Sequence, residues 1–387
     1  MPYRWLSAIA VISSLLPAMT RADATTRPQN DKSDRIKGAF FGALVSDALC
    51  LGSHYEYDAK AIKEAYNGII SEYMAPGEMM GGSTHGVGWG RRNYHPGQKK
   101  GDQTDYGEYN VLVLEYLASR KDTASDIDLN EFIPVWEKRV TENWGCWLCT
   151  MSRQTLQQVR GGARHDQLGG FSNAMAVRSA ALFAVFESEN RIKKAARTVS
   201  FTHRNTEALD GAEFFARVAF AVITGGIDPR QAIEEVSAKM SPWIQTQVKK
   251  GIEKYEEATD PTSALSKEEY VDDLAMTSMA RLWDVGKTEP IKVGKASPTE
   301  GTLPSSVYII LKYMDSFIDA VKANAMVGGD NASRGVAIGM VLGAYHGVRG
   351  IPETFLSSLN AYEKCDKMLE KLPLLHAGTD HIRKDDL

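Results

Sequence analysis

Apolar residues recur along most of this chain at the three-and-four spacing that presses one face of an α-helix against a core, and sustained period-two alternation is scarce. From Tyr109 onward, Leu112, Val113, Tyr116 and Leu117 form such a face, and Val111 and Leu114 widen it, so this helix is expected to be buried on most sides. The segment from Ile36 to Leu51 is apolar and rich in small residues. Phe214, Val218, Ala219, Ala221 and Val222 make another stripe, preceded by Asn205 and Glu207, residue types that start helices. Further helical patterns cover 130–143, 173–187, 231–239, 270–283, 305–322 and 352–372. The pattern predicts an all-α fold with no parallel-sheet repeat.

Glycines interrupt this pattern in two places. Between Pro76 and Gly107 they are too frequent for a regular element, and a loop this long inside a compact domain is usually functional or mobile. Gly335, Gly339, Gly343 and Gly347 lie four apart, so on a helix they strip one face of side chains and let another backbone come close. Just before them, Gly328-Gly329-Asp330-Asn331 reads as a glycine turn whose carboxylate caps the helix.

The termini read as addresses. Residues 1–24 have the charged, apolar, small-residue order of a signal peptide, with cleavage expected after Ala24; the apolar part is shorter than the ~20 residues that span a bilayer. A polar linker, 25–33, and a single domain, 34–375, follow. The charged tail, 376–387, ends Lys384-Asp385-Asp386-Leu387, similar to the lumenal retrieval signal. A secretory route is expected, periplasmic or secreted in a bacterium and lumenal in a eukaryote. No later stretch predicts a membrane span.

With 45 basic against 49 acidic residues, the net charge of -4 gives no global attraction for nucleic acid or an anionic membrane. Hydrophobic residues at 43% suit a substantial core. Four cysteines permit three pairings. Cys146-Trp147-Leu148-Cys149 lacks the strand context of a redox motif, which leaves a structural pair or two buried thiols.

The motifs, in order, resemble the ADP-ribosylglycohydrolase (crystallin J1-related) family. Gly42 to Leu49 is similar to its Gly-Asp-Ala-Leu helix, Thr104-Asp105-Tyr106 to Thr-Asp-Asp, and Ser172 to Arg178 to Ser-Asn-Gly-x-x-Met-Arg. Thr202-His203 matches a Thr-His pair. Gly328 to Ser333 and Gly343 to Gly347 match Gly-Gly-Asp-x-Asp-Thr and Gly-Ala-Tyr-x-Gly. The segment from Asp47 to Asp58 is closer to an atypical branch of the family. The resemblance implies an all-α orthogonal multi-helix bundle that binds an ADP-ribose-like ligand or an ADP-ribosylated protein and hydrolyses a glycosidic bond, or an inactive binding or crystallin-like protein on the same fold.

Active hydrolases of this family hold two magnesium ions between the first and last of these motifs, and magnesium needs several oxygen ligands. Tyr106 and Ala332 stand where two aspartates are expected, and Ser333 stands for a threonine. The resemblance therefore implies Thr104, Asp105, Asp330 and Ser333 as remaining ligands for at most one weakly held magnesium. It implies Glu56 or Glu108 as the catalytic base, with His54 beside Glu56. Ser172, Asn173, His203, Gly328 and Gly329 are implied as ligand contacts, the last two through backbone N–H groups beside a diphosphate.

Overall fold

The computed structural model describes residues 31–86, 90–123, 125–282, 291–292 and 294–376. The expected signal peptide, residues 25–30 of the linker and the tail from 377 onward lie outside the described residues.

Helices dominate. They run α1 (Lys32–Cys50), α2 (Ala59–Ala65), α3 (Asp105–Ser119), α4 (Leu129–Glu142), α5 (Thr150–Arg160), α6 (Glu189–Val199), α7 (Thr206–Gly225), α8 (Pro229–Ser237) and α9 (Pro242–Thr259). After these come α10 (Val271–Met279), α11 (Thr299–Lys312), α12 (Phe317–Val327), α13 (Asn331–His346) and the short α14 (Glu353–Ser357), α15 (Tyr362–Leu369) and α16 (Pro373–His376). Short polar side chains start many of them. Asn205 accepts from the Ala208 N–H at α7, and Asp228 and Ser241 cap α8 and α9 ahead of a proline in the first turn. Asp31 caps α1, so Lys32 and Ser33, expected in the linker, form its first turn.

Two helices form the centre. Every residue from Gly38 to Cys50 in α1 and from Asn331 to Ala344 in α13 is buried. They meet through their glycines: a Cβ on Gly42 would lie 2.2 Å from the Gly339 carbonyl oxygen, and one on Gly343 2.1 Å from that of Gly38. The glycine row is a packing surface for α1. Gly42→Ala is expected to lower stability by about 1–3 kcal/mol, because backbone must move. Gly335→Ala, which meets the Ser46 hydroxyl at 3.0 Å, should cost less. Urea denaturation of the two variants checks the ranking.

The structure departs from the sequence pattern in several segments. Residues 173–187, expected to be helical, are irregular except for a single 3-10 turn, Leu182–Ala184. Asn110 of α3 explains this: its side-chain amide donates to the Val177 carbonyl and accepts from the Ala180 N–H, satisfying buried backbone without a helix. The 305–322 pattern divides into α11 and α12, and 352–372 into α14 and α15. The 270–283 pattern stops at Met279, where β3 (Arg281–Leu282) pairs with β4 (Ile291–Lys292).

The glycine-rich loop holds a hairpin, β1 (Thr84–Gly86) antiparallel to β2 (Gly90–Arg92), and then carries Tyr94 and His95 into the interior. Gly97 is clamped on Gly145, with its N–H on the Gly145 carbonyl at 3.0 Å and no room for a Cβ. That contact brings His95 beside Trp147. No helix among the described residues is long and apolar enough to cross a membrane.

Candidate active site

A cavity of about 300 Å³ opens between the start of α3, the start of α5 and the irregular 172–178 segment. Its wall includes Tyr55, Asp105, Tyr106, Ser172, Asn173, Arg178 and His203. The motifs at Thr104–Tyr106, Ser172–Arg178 and Thr202–His203 thus converge here.

The start of α3 is tied to α1. Asp47 accepts the Thr104 N–H at 2.7 Å and its hydroxyl at 2.6 Å, while Thr104 also caps α3. Burial pushes the Asp47 carboxyl up to about 7, although the bonds from Thr104 and the Gly107 N–H pull it down. Asp105, the next residue, lines the cavity, and its Oδ1 is buried without a hydrogen-bond partner among the described residues. Burial, then the charges of Asp330 and Asp47, push its carboxyl well above the usual carboxylate range.

Asp330 lies behind Tyr106. The His54 Nε2 is 3.2 Å from Oδ1, and the Tyr106 hydroxyl donates to Oδ2 at 2.8 Å. Burial alone would raise this carboxyl; the hydrogen bond from His54, with those from Ser297 and Tyr106, holds it below its ordinary value. Asp330 also caps α13 through the Ser333 N–H, as its position after the glycine turn suggested. Tyr55 covers the group from a left-handed backbone conformation (φ 66°), stacking on the His54 ring. For a tyrosine that conformation is strained by about 1–3 kcal/mol, and the Tyr55 N–H bond to the Gly329 carbonyl holds it.

On the opposite wall, the hydrogen-bond direction can be assigned. Arg178 donates to the Thr202 hydroxyl at 2.9 Å; the hydrogen of that buried hydroxyl has no acceptor among the described residues other than His203 Nδ1 at 3.0 Å, so it is donated there and His203 carries its hydrogen on Nε2. Burial, then the Arg178 charge, lower His203 to about 3, so it stays neutral. The Arg178 guanidinium stacks on Tyr109, 3.6 Å from the ring centre.

Several implied site residues are occupied elsewhere. Glu56 and Glu108 are not among the residues that wall the cavity. Glu56 turns Oε1 to the N–H groups of Tyr57 and Asp58, with Arg91 3.6 Å from Oε2, and Glu108 pairs with Arg139. Gly328 and Gly329 have positive φ, but their N–H groups are spent on the carbonyls of Ala325 and Glu56. The Asp330 N–H goes to Lys295. The turn therefore presents no free donors to a diphosphate; its glycines are needed because a Cβ on either would strike the carbonyl oxygen of Glu56 or Lys295. Ser172, Asn173 and His203 do reach the cavity. The sequence reading missed His95, Tyr55, Tyr109, Trp147 and Cys149; the aromatic density around the CxxC run was the available signal.

The cysteines are all free thiols, with Cys149 half-buried on the cavity wall and Cys146 buried. Of the alternatives left open by the sequence, the structural pair is not formed and the two buried thiols are met only in part, since Cys149 is half-buried.

A magnesium ion does not fit the residues present. Of the four implied ligands, both Asp330 oxygens accept hydrogens, the Thr104 hydroxyl serves Asp47, and the Ser333 hydroxyl donates to the Asp330 carbonyl at 3.0 Å, which leaves only Asp105 with a free oxygen. Among the described residues no group of three or more His, Cys, Asp or Glu could hold a metal ion.

The family profile of the ADP-ribosylglycohydrolases matches residues 28–381. The chain belongs to the ADP-ribosylglycohydrolase family. Among curated relatives of the family, ADP-ribosylhydrolase ARH3 of Mus musculus is 20% identical over 363 residues, covering 87% of this chain and 90% of that protein. ARH3 of Homo sapiens is also 20% identical, covering 87% and 92%. A solved structure described as an ADP-ribosylglycohydrolase-related protein complex superposes with a TM-score of 0.58 at 18% identity, over 89% of this chain and 99% of that one. The all-α family fold is thereby shown.

Proposed function

We propose that the cavity binds the ADP-ribosyl group of a small molecule or a modified protein and hydrolyses its glycosidic bond, with Asp105 as the reacting carboxyl. The observation that carries this reading is the Asp105 Oδ1: a buried carboxyl oxygen with no hydrogen-bond partner among the described residues, on the wall of a cavity that His203 and Asn173 also line. Glycosidic cleavage needs one proton delivered to the leaving atom and one removed from water. Protonated Asp105 donates its proton as the bond from the anomeric carbon to the leaving group breaks. The resulting carboxylate then takes a proton from the water that adds to that carbon, which regenerates the acid. His203, as an Nε2–H donor, and Asn173 orient the ribose hydroxyls or phosphate oxygens. The neutrality of His203 keeps this donor unchanged across physiological pH.

Phe171 supports a nucleotide ligand. It adjoins Ser172 on the cavity wall, yet it is 72% exposed, with Arg204 over the ring. An exposed aromatic beside a polar cavity is placed to stack on a base, a contact of about 1–3 kcal/mol by alanine substitution. Calorimetry with ADP-ribose is expected to show binding that Phe171→Ala weakens about tenfold or more without changing the unfolding midpoint. If wild-type protein shows neither ADP-ribose binding nor release of ADP-ribose from ADP-ribosylated protein, this reading fails.

A further inference from the structure

The hydrogens around Asp330 have a determined direction. A backbone N–H can only donate, so the His95 Nδ1, 3.2 Å from the Trp147 nitrogen, is an acceptor. Burial pushes His95 well below its ordinary value, so it is neutral and carries its one hydrogen on Nε2. That nitrogen lies 2.8 Å from His54 Nδ1, and the two rings are within 13° of coplanar with centroids 5.0 Å apart, the arrangement of an in-plane N–H···N bond. His54 accepts at Nδ1 and therefore presents its own hydrogen from Nε2 to Asp330 Oδ1. Tyr106 supplies the second hydrogen, to Oδ2.

His95, His54 and Asp330 are buried, Tyr106 and Trp147 are half-buried, and every donor in the chain has an acceptor. A cation approaching Asp330 meets N–H and O–H hydrogens rather than lone pairs, and it binds only by stranding one of them in the interior. Nor does Asp330 lack a positive charge. Arg334, four residues along α13 and completely buried, donates to Asn324 and to the carbonyls of Lys295 and Gly328 around the same turn.

We infer that the chain Trp147–His95–His54–Asp330–Tyr106 takes the place of a divalent cation behind the cavity, so that this member of the family binds its ligand without divalent metal. The metal-free arrangement stands on the geometry alone; its consequence for ligand binding rests on the ADP-ribose reading above. Tyr106 is then a positioning residue: its hydroxyl holds Asp330 while its ring forms the cavity wall.

Two measurements on wild-type protein test this. Long-range proton–nitrogen spectra of protein labelled with 15N-histidine are expected to show His54 and His95 both as Nε2–H tautomers, with shifts unchanged by magnesium. Calorimetry should find no binding heat for magnesium or manganese alone, and the ADP-ribose affinity in EDTA should match that in magnesium within about twofold. An Nδ1–H tautomer at either histidine, metal binding by the ligand-free protein, or an ADP-ribose affinity at least tenfold higher with magnesium would overturn the inference. Absence of ADP-ribose binding in both buffers would remove the proposed function and leave the spectra and the metal-alone titration to decide this inference.

Discussion

Asp105→Asn is expected to slow release of ADP-ribose from an ADP-ribosylated substrate by about 10²–10⁴-fold, the range for loss of a positioned acid or base. The substitution is nearly isosteric and removes only the proton that the reaction uses. Asparagine, like the protonated acid, puts no charge where burial and the neighbouring Asp330 and Asp47 disfavour one, so the fold is expected to be unharmed. ADP-ribose binding should change only a few-fold, since the amide still fills the same part of the wall. Rate and binding measured on the same preparation separate the two effects. Activity within about tenfold of wild type, from a variant that unfolds at the wild-type midpoint, would assign the proton transfer to another group.

Asp330→Ala is expected to cost about 3–5 kcal/mol of stability before any ligand is added. Three losses coincide in one residue. The cap of α13 goes, at about 0.5–2 kcal/mol. The His54 N–H and the Tyr106 hydroxyl are each left in the interior without an acceptor, at about 1–3 kcal/mol apiece, with some relaxation between them. Asp330→Asn should fall between wild type and alanine, because its amide oxygen still serves the cap and one donor while its NH₂ faces the other. Urea denaturation of the three proteins gives the order directly. A loss below about 1 kcal/mol for the alanine variant would mean that water reaches the two donors and that the chain is not closed as described.

Much of the fold was legible because helix signals are local. Asn205 and the Leu112-to-Leu117 face act within a turn or two of themselves, and the four-residue glycine spacing implied a bare helix face whatever its partner. The 173–187 segment was not legible for the opposite reason. Residues 175–186 are all buried, so no period distinguishes their faces, and their backbone is satisfied by Asn110, more than sixty residues earlier. The site divides in the same way. Asp105, Ser172, Asn173 and His203 were found because each sits in a short motif. His95 belongs to no motif; it matters only because Gly97 and Gly145 meet. Tyr106 was read as a missing ligand, whereas its hydroxyl is what Asp330 accepts from, and a residue type at one position cannot report which carboxylate it will face.

The contact between α1 and α13 separates architecture from chemistry. Because main chain rests on main chain at Gly38, Gly42, Gly339 and Gly343, the distance between these two rods is set without any side chain whose size could drift. Tyr106 and Ala332 hang at helix starts beyond that seam. Exchanging what stands at 106 alters which partner the carboxylate of Asp330 greets while leaving the carboxylate where it was. A scaffold built this way can change what meets Asp330 with no intermediate in which the core between α1 and α13 has to be rebuilt.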